Sequence, residues 1–223
     1  MRIGFVIAMD EEYAPFLSVL GEAVSKDTFC GVSFEVFSRG DREVVLAKSG
    51  IGEIVSSAVT ALLIDHFHCD FVANFGFVGA LGEIPPATLV AVKDVVHYDA
   101  DLTAFGRPLG APAGFDDPYF SADTRALALF AEEGLPVCRL ASGDKFISDP
   151  SLKSDLRSCF AADICDMEGA GIALTCARSG VPFAMLKLVS DGAGNDAASE
   201  FTVNIARDFP LAVSTLLSVL DKI

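Results

Sequence analysis

Two hydrophobic patterns alternate along this chain, and their alternation restricts the fold more than any other feature. Short runs rich in Val, Ile and Phe give way to longer stretches with apolar residues at helical spacing, as Ile3–Ile7 gives way to Asp10–Leu20. A strand that is apolar throughout must be covered on both faces, and helices laid on either side of a largely parallel sheet supply that cover. The pattern predicts strands over Ile3–Ile7, Phe71–Phe75, Leu89–His97, Pro136–Ala141, Ile164–Cys165 and Ala184–Val189. It predicts helices over Asp10–Leu20, Ser121–Glu133, Gly169–Arg178 and Ser199–Leu220. Ile54, Val55, Ala58, Val59, Leu62 and Leu63 mark one more helix, with that face laid on the sheet. Thr28–Ser38 and Arg42–Lys48 alternate with period two instead, and predict an antiparallel hairpin turning at Gly40-Asp41. The expected fold class is α/β, a three-layer α/β/α arrangement with a mixed central sheet.

No break in composition divides the 223 residues, so one domain is expected over 1–223. Apolar residues make up 52% of the chain, enough for a large core. No apolar run reaches the roughly 18 residues of a membrane span, and a soluble protein is expected. Met1–Ala8 is apolar, but Asp10, Glu11 and Glu12 follow at once; this reads as a buried first strand rather than a secretory leader, and a cytoplasmic location is expected. Acidic residues outnumber basic ones by 31 to 16, and the resulting net charge of −15 repels nucleic acid and anionic membranes. The six cysteines form no C-x-x-C pair and read as reduced core thiols. His66 and His68 flank Phe67 without a third ligand nearby, so neither a metal nor another cofactor is expected. Asp99–Tyr119 is the one long irregular segment, the kind that carries function or an interface.

Open parallel sheets bind ligands beyond the carboxyl ends of their strands. Four acids fall there: Glu12, Asp144, Glu168 and Asp191. Gly50-Ile51-Gly52 has the strand-to-helix setting of a dinucleotide loop, but Val55 fills the third small position and Glu53 would face the pyrophosphate. Those glycines are read as a tight turn and a close helix contact. Met9-Asp10-Glu11-Glu12 presents three carboxylates, which suit water or a neutral ligand and repel phosphate. Asp10 and Glu11 are explained by the positive end of the following helix; Glu12 is not used up by that role.

Six segments, taken together, carry a resemblance. They are I-G-F-V-I-A-M-D-E-E at Ile3–Glu12, K-S-G-I-G at Lys48–Gly52, H-Y-D-A-D-L-T-A-F-G at His97–Gly106, S-G-D-K-F-I at Ser142–Ile147, D-M-E-G-A at Asp166–Ala170 and V-S-D at Val189–Asp191. In order and spacing they resemble the 5′-methylthioadenosine/S-adenosylhomocysteine nucleosidases of the nucleoside phosphorylase superfamily. The resemblance implies hydrolysis of the N-glycosidic bond of a purine nucleoside, with Glu12 activating water and Asp191 protonating the leaving base. It implies that Glu168 and the backbone of Met167 hold the ribose hydroxyls, that Phe146 stacks on the purine, and that the backbone of Ile147 reads its edge. Met9, Asp166, Ser190 and Phe201 fall in the same implied lining. Phe105 resembles a residue that reaches into a neighbouring subunit's site, which implies a homodimer.

Three positions depart from the family pattern. Phe77 stands where a small hydroxyl-bearing residue is usual near the water and ribose. Lys187 replaces an arginine that braces the ribose-binding glutamate, and keeps the charge without the planar fork. Asp166 shortens a usual glutamate. All three lie on the sugar side, so recognition of the purine is better supported than that of the sugar or its 5′ substituent. Other readings stay open. A phosphorylase on the same fold would need cationic donors, for which Lys48, Arg107 and Lys187 are the candidates. A hydrolase for another purine nucleoside such as futalosine, or a non-catalytic ligand-binding relative, also fits.

Overall fold

The computed structural model describes residues 1–204 and 209–223. The chain runs through β1 (Arg2–Ile7), α1 (Asp10–Leu20), β2 (Ser25–Phe29), β3 (Val32–Arg39), β4 (Arg42–Lys48), α2 (Glu53–Asp65), β5 (Phe71–Ala80) and β6 (Leu89–His97). A 3₁₀ turn over Thr103–Phe105 then precedes β7 (Tyr119–Ser121), α3 (Thr124–Glu132), β8 (Val137–Ser142), α4 (Pro150–Phe160) and β9 (Ile164–Asp166). The last elements are α5 (Gly169–Ser179), β10 (Phe183–Asp191), α6 (Ala197–Asn204) and α7 (Phe209–Leu220).

The strands form one mixed sheet, and β5 organises it. β1 and β10 both pair with β5 in parallel, and β4 lies parallel to β1 on its far side. β1 leaves β5 at Asn74, and Gly79-Ala80 then pairs with Cys165 and Ile164 of β9. Because β10 pairs with β6, β6 with β8, and β8 with β9, the sheet closes on itself at this end. The carboxyl ends of β1, β5, β9 and β10 are thereby drawn to one place.

Alternation along the strands supplies both cores. Ile3, Phe5 and Ile7 of β1 face α1 and α7, where the Phe5 and Phe16 rings meet edge-on at 5.1 Å. Val6 points to the opposite face and joins the core that includes Val59 and Leu63 of α2 and Ile172 and Cys176 of α5. Gly4 is on that same face, and a Cβ there would stand 3.1 Å from Leu63 and from Cys69 Sγ.

The mixed α/β fold class agrees with the sequence reading, and several boundaries differ for local reasons. Thr28–Ser38 is not one strand: Cys30 and Gly31 both have positive φ (50° and 77°) and make a second two-residue turn between β2 and β3. Phe71–Phe75 continues through Gly76 and Gly79 to Ala80, because those glycines sit in the sheet where neighbours crowd in. The expected helix from Ser121 begins only at Thr124, since Asp123 is its N-cap and accepts from the backbone of Arg125 and Ala126. Helix α4 has a polar composition that hid it, although Asp149 caps it and Pro150 starts it. The helix expected over Ser199–Leu220 is two helices, α6 and α7, with Pro210 second in α7; the part over 205–208 lies outside the described residues. The expected face of α2 is also rotated. Glu53, Ser56, Val59, Thr60 and Leu63 are buried, whereas Ile54 and Val55 are exposed. Of the six free cysteines, Cys69, Cys138, Cys165 and Cys176 are buried, and Cys30 and Cys159 are exposed rather than in the core.

Candidate active site

A cleft of about 700 Å³ opens where the strand ends converge. Met9, Glu12, Phe77, Phe146, Ile147, Asp166, Met167, Glu168, Ser190, Asp191 and Phe201 all line it, though they come from six separate stretches of chain. Three other residues singled out for the site do not: Lys187, Phe105 and Asp144. Lys187 lies beneath the floor, fully buried, and Phe105 is 82% exposed on the 3₁₀ turn, away from this chain's own cleft.

Glu12 is the third residue of α1, close enough to the end of β1 to fold back on it. Its Oε2 accepts from the N–H groups of Ala8 (3.2 Å) and Met9 (3.1 Å), and its Oε1 accepts from Phe77 N (2.9 Å). Gly76 permits the last contact, because a Cβ there would lie 3.0 Å from Oε1. Burial raises the pKa of Glu12, while these three donors and the Lys187 charge hold part of the shift back. The carboxylate is fixed in orientation and made a stronger base than a solvated glutamate.

Asp191 closes β10 on another wall. Its Oδ2 accepts from Ser190 Oγ (2.8 Å) and its Oδ1 from Ala193 N (2.8 Å). Ala193 turns with φ of 46° to deliver that N–H. Burial raises the Asp191 pKa against these two donors, and the Glu200 carboxylate raises it further. A carboxyl treated this way retains a proton to higher pH and is suited to give it up to a ligand.

Between them lies an acidic floor. Glu168, the N-cap of α5, accepts at Oε1 from Gly52 N (3.0 Å). Burial and the neighbouring Asp166 charge push it up to about 8. Lys187 Nζ donates to Asp166 Oδ2 at 2.6 Å, with 1% of either side chain exposed. Burial works against the lysine's charge, but Asp166, Glu168 and Glu12 outweigh it and hold its pKa above the ordinary value. The direct lysine bond thus goes to Asp166, and Glu168 is held by the turn at Gly52. Asp144 does not line the cleft: its Oδ1 accepts from Glu53 N (2.8 Å) at the start of α2.

The upper walls are apolar. Phe201 meets Phe77 edge-on at 5.7 Å and Phe146 at 6.3 Å, making an aromatic group beside Met9 and Met167. Sequence reasoning missed Ile51 and Lys145 in the lining and Glu53 and Ser142 beneath it. Glu53 gave one signal, a charged residue directly after the glycine that opens a helix.

Carboxylates of perturbed pKa around an apolar slot, at the closed end of a mixed sheet, define an enzyme site for a small, largely uncharged ligand. The family profile of the phosphorylase superfamily matches residues 2–223, and the chain belongs to that superfamily. The 5′-methylthioadenosine/S-adenosylhomocysteine nucleosidase of Shewanella halifaxensis is 34% identical over 219 residues, 93% of each chain. The chain accordingly belongs to the nucleosidase family of that name. The Helicobacter pylori 5′-methylthioadenosine/S-adenosyl homocysteine nucleosidase structure superposes with a TM-score of 0.94 at 29% identity, covering 100% of this chain and 99% of that one. A futalosine hydrolase from the same organism superposes with a TM-score of 0.93 at 28% identity, covering 100% and 98%.

Proposed function

We propose that this chain hydrolyses the N-glycosidic bond of 5′-methylthioadenosine and/or S-adenosylhomocysteine, releasing adenine and the thioribose. The observation that carries this reading is the pair Glu12 and Asp191, two buried carboxyls with raised pKa on different walls of one cleft. As the bond from the sugar's anomeric carbon to the purine breaks, its electron pair leaves with the base. Asp191 gives its proton to that base, and positive charge develops on the sugar. Water adds to the anomeric carbon and loses a proton to Glu12. Glu168 and the Met167 backbone hold the ribose hydroxyls, Asp166 and Ser190 complete the floor, and Lys187 supports the acids from below. Phe146 and Phe201 stack against the base, and Ile147 reads its edge.

The state of the cations favours water over phosphate as the nucleophile. Lys48 is bonded to Asp10 at 2.5 Å, Lys187 to Asp166, and Arg107 to Asp116 and the Phe115 carbonyl. Lys145 is the single cationic residue among the described lining. A phosphate mono- or dianion brought onto this acidic floor would meet repulsion rather than a cradle. A second reading, cleavage of another purine nucleoside such as futalosine, draws support from Phe77 on the sugar side and from the futalosine hydrolase neighbour.

We further propose that the chain acts as one domain over 1–223 and as a cytoplasmic homodimer serving methionine salvage. Ile51, Ile54 and Phe105 are 56%, 80% and 82% exposed, apolar side chains of the kind a second copy would cover, with Phe105 then reaching the partner's cleft. Among the described residues no helix is long and apolar enough to cross a membrane. The test is incubation with methylthioadenosine, adenosylhomocysteine, adenosine, inosine and futalosine, with and without phosphate. Adenine released from the thio-nucleosides at a rate indifferent to phosphate supports the proposal. A strict phosphate requirement, or no release of base from any of the five, overturns it.

A further inference from the structure

Below the cleft, one hydroxyl is shared by two acids. Ser142 Oγ lies 2.5 Å from Glu53 Oε1 and 2.5 Å from Asp166 Oδ1. All three side chains are buried. A serine hydroxyl has one proton, so it can donate to one of the two carboxyls and not to both. Two ionised carboxylates against one hydroxyl would leave a bare O···O⁻ contact between buried groups. One of the two acids therefore carries a proton and donates it to the serine oxygen.

The surroundings decide which acid that is. Asp166 has the Lys187 ammonium at 2.6 Å on Oδ2 and accepts from Gly169 N at 3.1 Å on Oδ1. Both contacts favour its ionised form. Glu53 accepts from Gly171 N through Oε2, and the charges it faces are acidic: Asp166 of β9 and Asp144 of the loop after β8. Tyr98, past the end of β6, is also within its field, and Lys187 of β10 stands behind Asp166. Glu168 at the head of α5 completes the surroundings, joined to α2 through Gly52 and Ser56.

We propose that Glu53 is a positioning residue that holds a proton, so that a directed chain runs from Glu53 O–H to Ser142 Oγ–H to the Asp166 carboxylate and on to Lys187. The chain keeps Asp166 anionic and correctly aimed, and so fixes the lysine under Glu12 and Glu168. Burial first, and the Asp166 charge next, push Glu53 up to about 8, so the proton is present at neutral pH and is lost above it. Once it is lost, Ser142 must abandon one acid and the lysine loses its fixed partner. Activity then declines on the alkaline side although neither Glu53 nor Ser142 lines the cleft.

The activity readout rests on the nucleosidase reading above, so the proton itself is tested separately. Infrared spectra of the unliganded wild type and of Glu53→Gln are compared across pH. Part of the protonated-carboxyl absorbance at pH 6.5 is expected to fade as the pH passes about 8 and to be missing from Glu53→Gln, while the part due to Glu168, raised to the same range, remains in both proteins. Identical bands in the two proteins overturn the proposal, whether or not any nucleoside is cleaved. In the activity arm, Gln can donate its amide N–H to Ser142 and accept from Gly171 as the protonated acid does. Glu53→Gln should keep kcat at pH 7 within about threefold and flatten the alkaline limb, whereas Glu53→Asp, too short to reach, should lose about tenfold or more in kcat. Equal losses in Gln and Asp variants, or an alkaline limb unchanged in Glu53→Gln, contradict the positioning role. If Glu53→Gln does not fold, Ser142→Ala takes its place in the infrared arm: a shifted acid band supports the chain, and an unmoved one overturns it.

Discussion

Replacing Lys187 by Met keeps the aliphatic stem and removes the ammonium. Among the described residues Lys187 is the only buried cation, and it faces three acids: Asp166 at 2.6 Å, Glu168 and Glu12. Removing one partner of a buried pair costs about 3–5 kcal/mol, because the other charge stays without compensation. Against a typical net stability of about 5–15 kcal/mol, that is a large fraction. The cost depends on pH with a definite sign. The lysine lowers the pKa of both Glu12 and Glu168. In the variant both rise further, and at low pH each takes up a proton and escapes part of the repulsion. The stability lost should therefore be greater at pH 8 than at pH 6, as read by equilibrium urea unfolding at each pH. A loss under about 1 kcal/mol at pH 8, within the range of an ordinary surface change, would refute the reasoning.

The wild type itself should lose stability as the pH rises. Glu53 and Glu168 are both raised from 4.5 to about 8 in the folded chain, so their contribution is complete below 4.5 and is lost as the pH rises through 8. The slope should reach about 1.4 kcal/mol per pH unit for each group, and urea midpoints measured from pH 5 to 9 would show it. Gly171→Ala should cost about 1–3 kcal/mol in the same assay. A Cβ there would run into the Glu53 backbone carbonyl and stand 2.7 Å from Ser56 Oγ and 2.9 Å from Glu53 Oε2, so α2 and α5 must separate. Phe77→Ser removes a ring that is 7% exposed and packed on Phe201. It should cost about 3 kcal/mol in stability and change the ratio of kcat/KM between nucleosides of different 5′ substituent by about tenfold or more.

The sequence revealed those features in which one residue's neighbours along the chain determine its environment. The strand at Leu89–His97 and the helix at Asp10–Leu20 have the bounds their periodicity predicts, and the helix is framed by Glu12 accepting from Met9 N at its start and by Gly21 at its end. Helix α2 was found but its buried face was not. Apolar content pointed to Ile54 and Val55, yet the helix turns Glu53, Ser56 and Thr60 inward: Glu53 meets Ser142 of β8, Ser56 donates to the Glu168 carbonyl at the head of α5, and Thr60 donates to the Ser56 carbonyl of its own helix. Position along the chain does not carry such a contact over 89 residues of separation, as between Glu53 and Ser142. The cleft residues were legible because several short motifs together carried the resemblance. The buried acid chain beneath them was not, because it consists of ordinary residue types whose meaning depends on distance. Closure of the sheet through β5 and β9 was hidden for the same reason: it rests on two residue pairs.

The central claim is that Asp191 supplies the proton that releases the base. Asp191→Asn keeps the size of the side chain and removes its capacity as an acid. The decisive measurement is single-turnover release of adenine from methylthioadenosine in phosphate-free buffer, set beside the Kd for the same nucleoside. The account predicts a loss of about 10²-fold or more in the rate, with the Kd changed by no more than a few fold. Release by Asp191→Asn at the wild-type rate would contradict it.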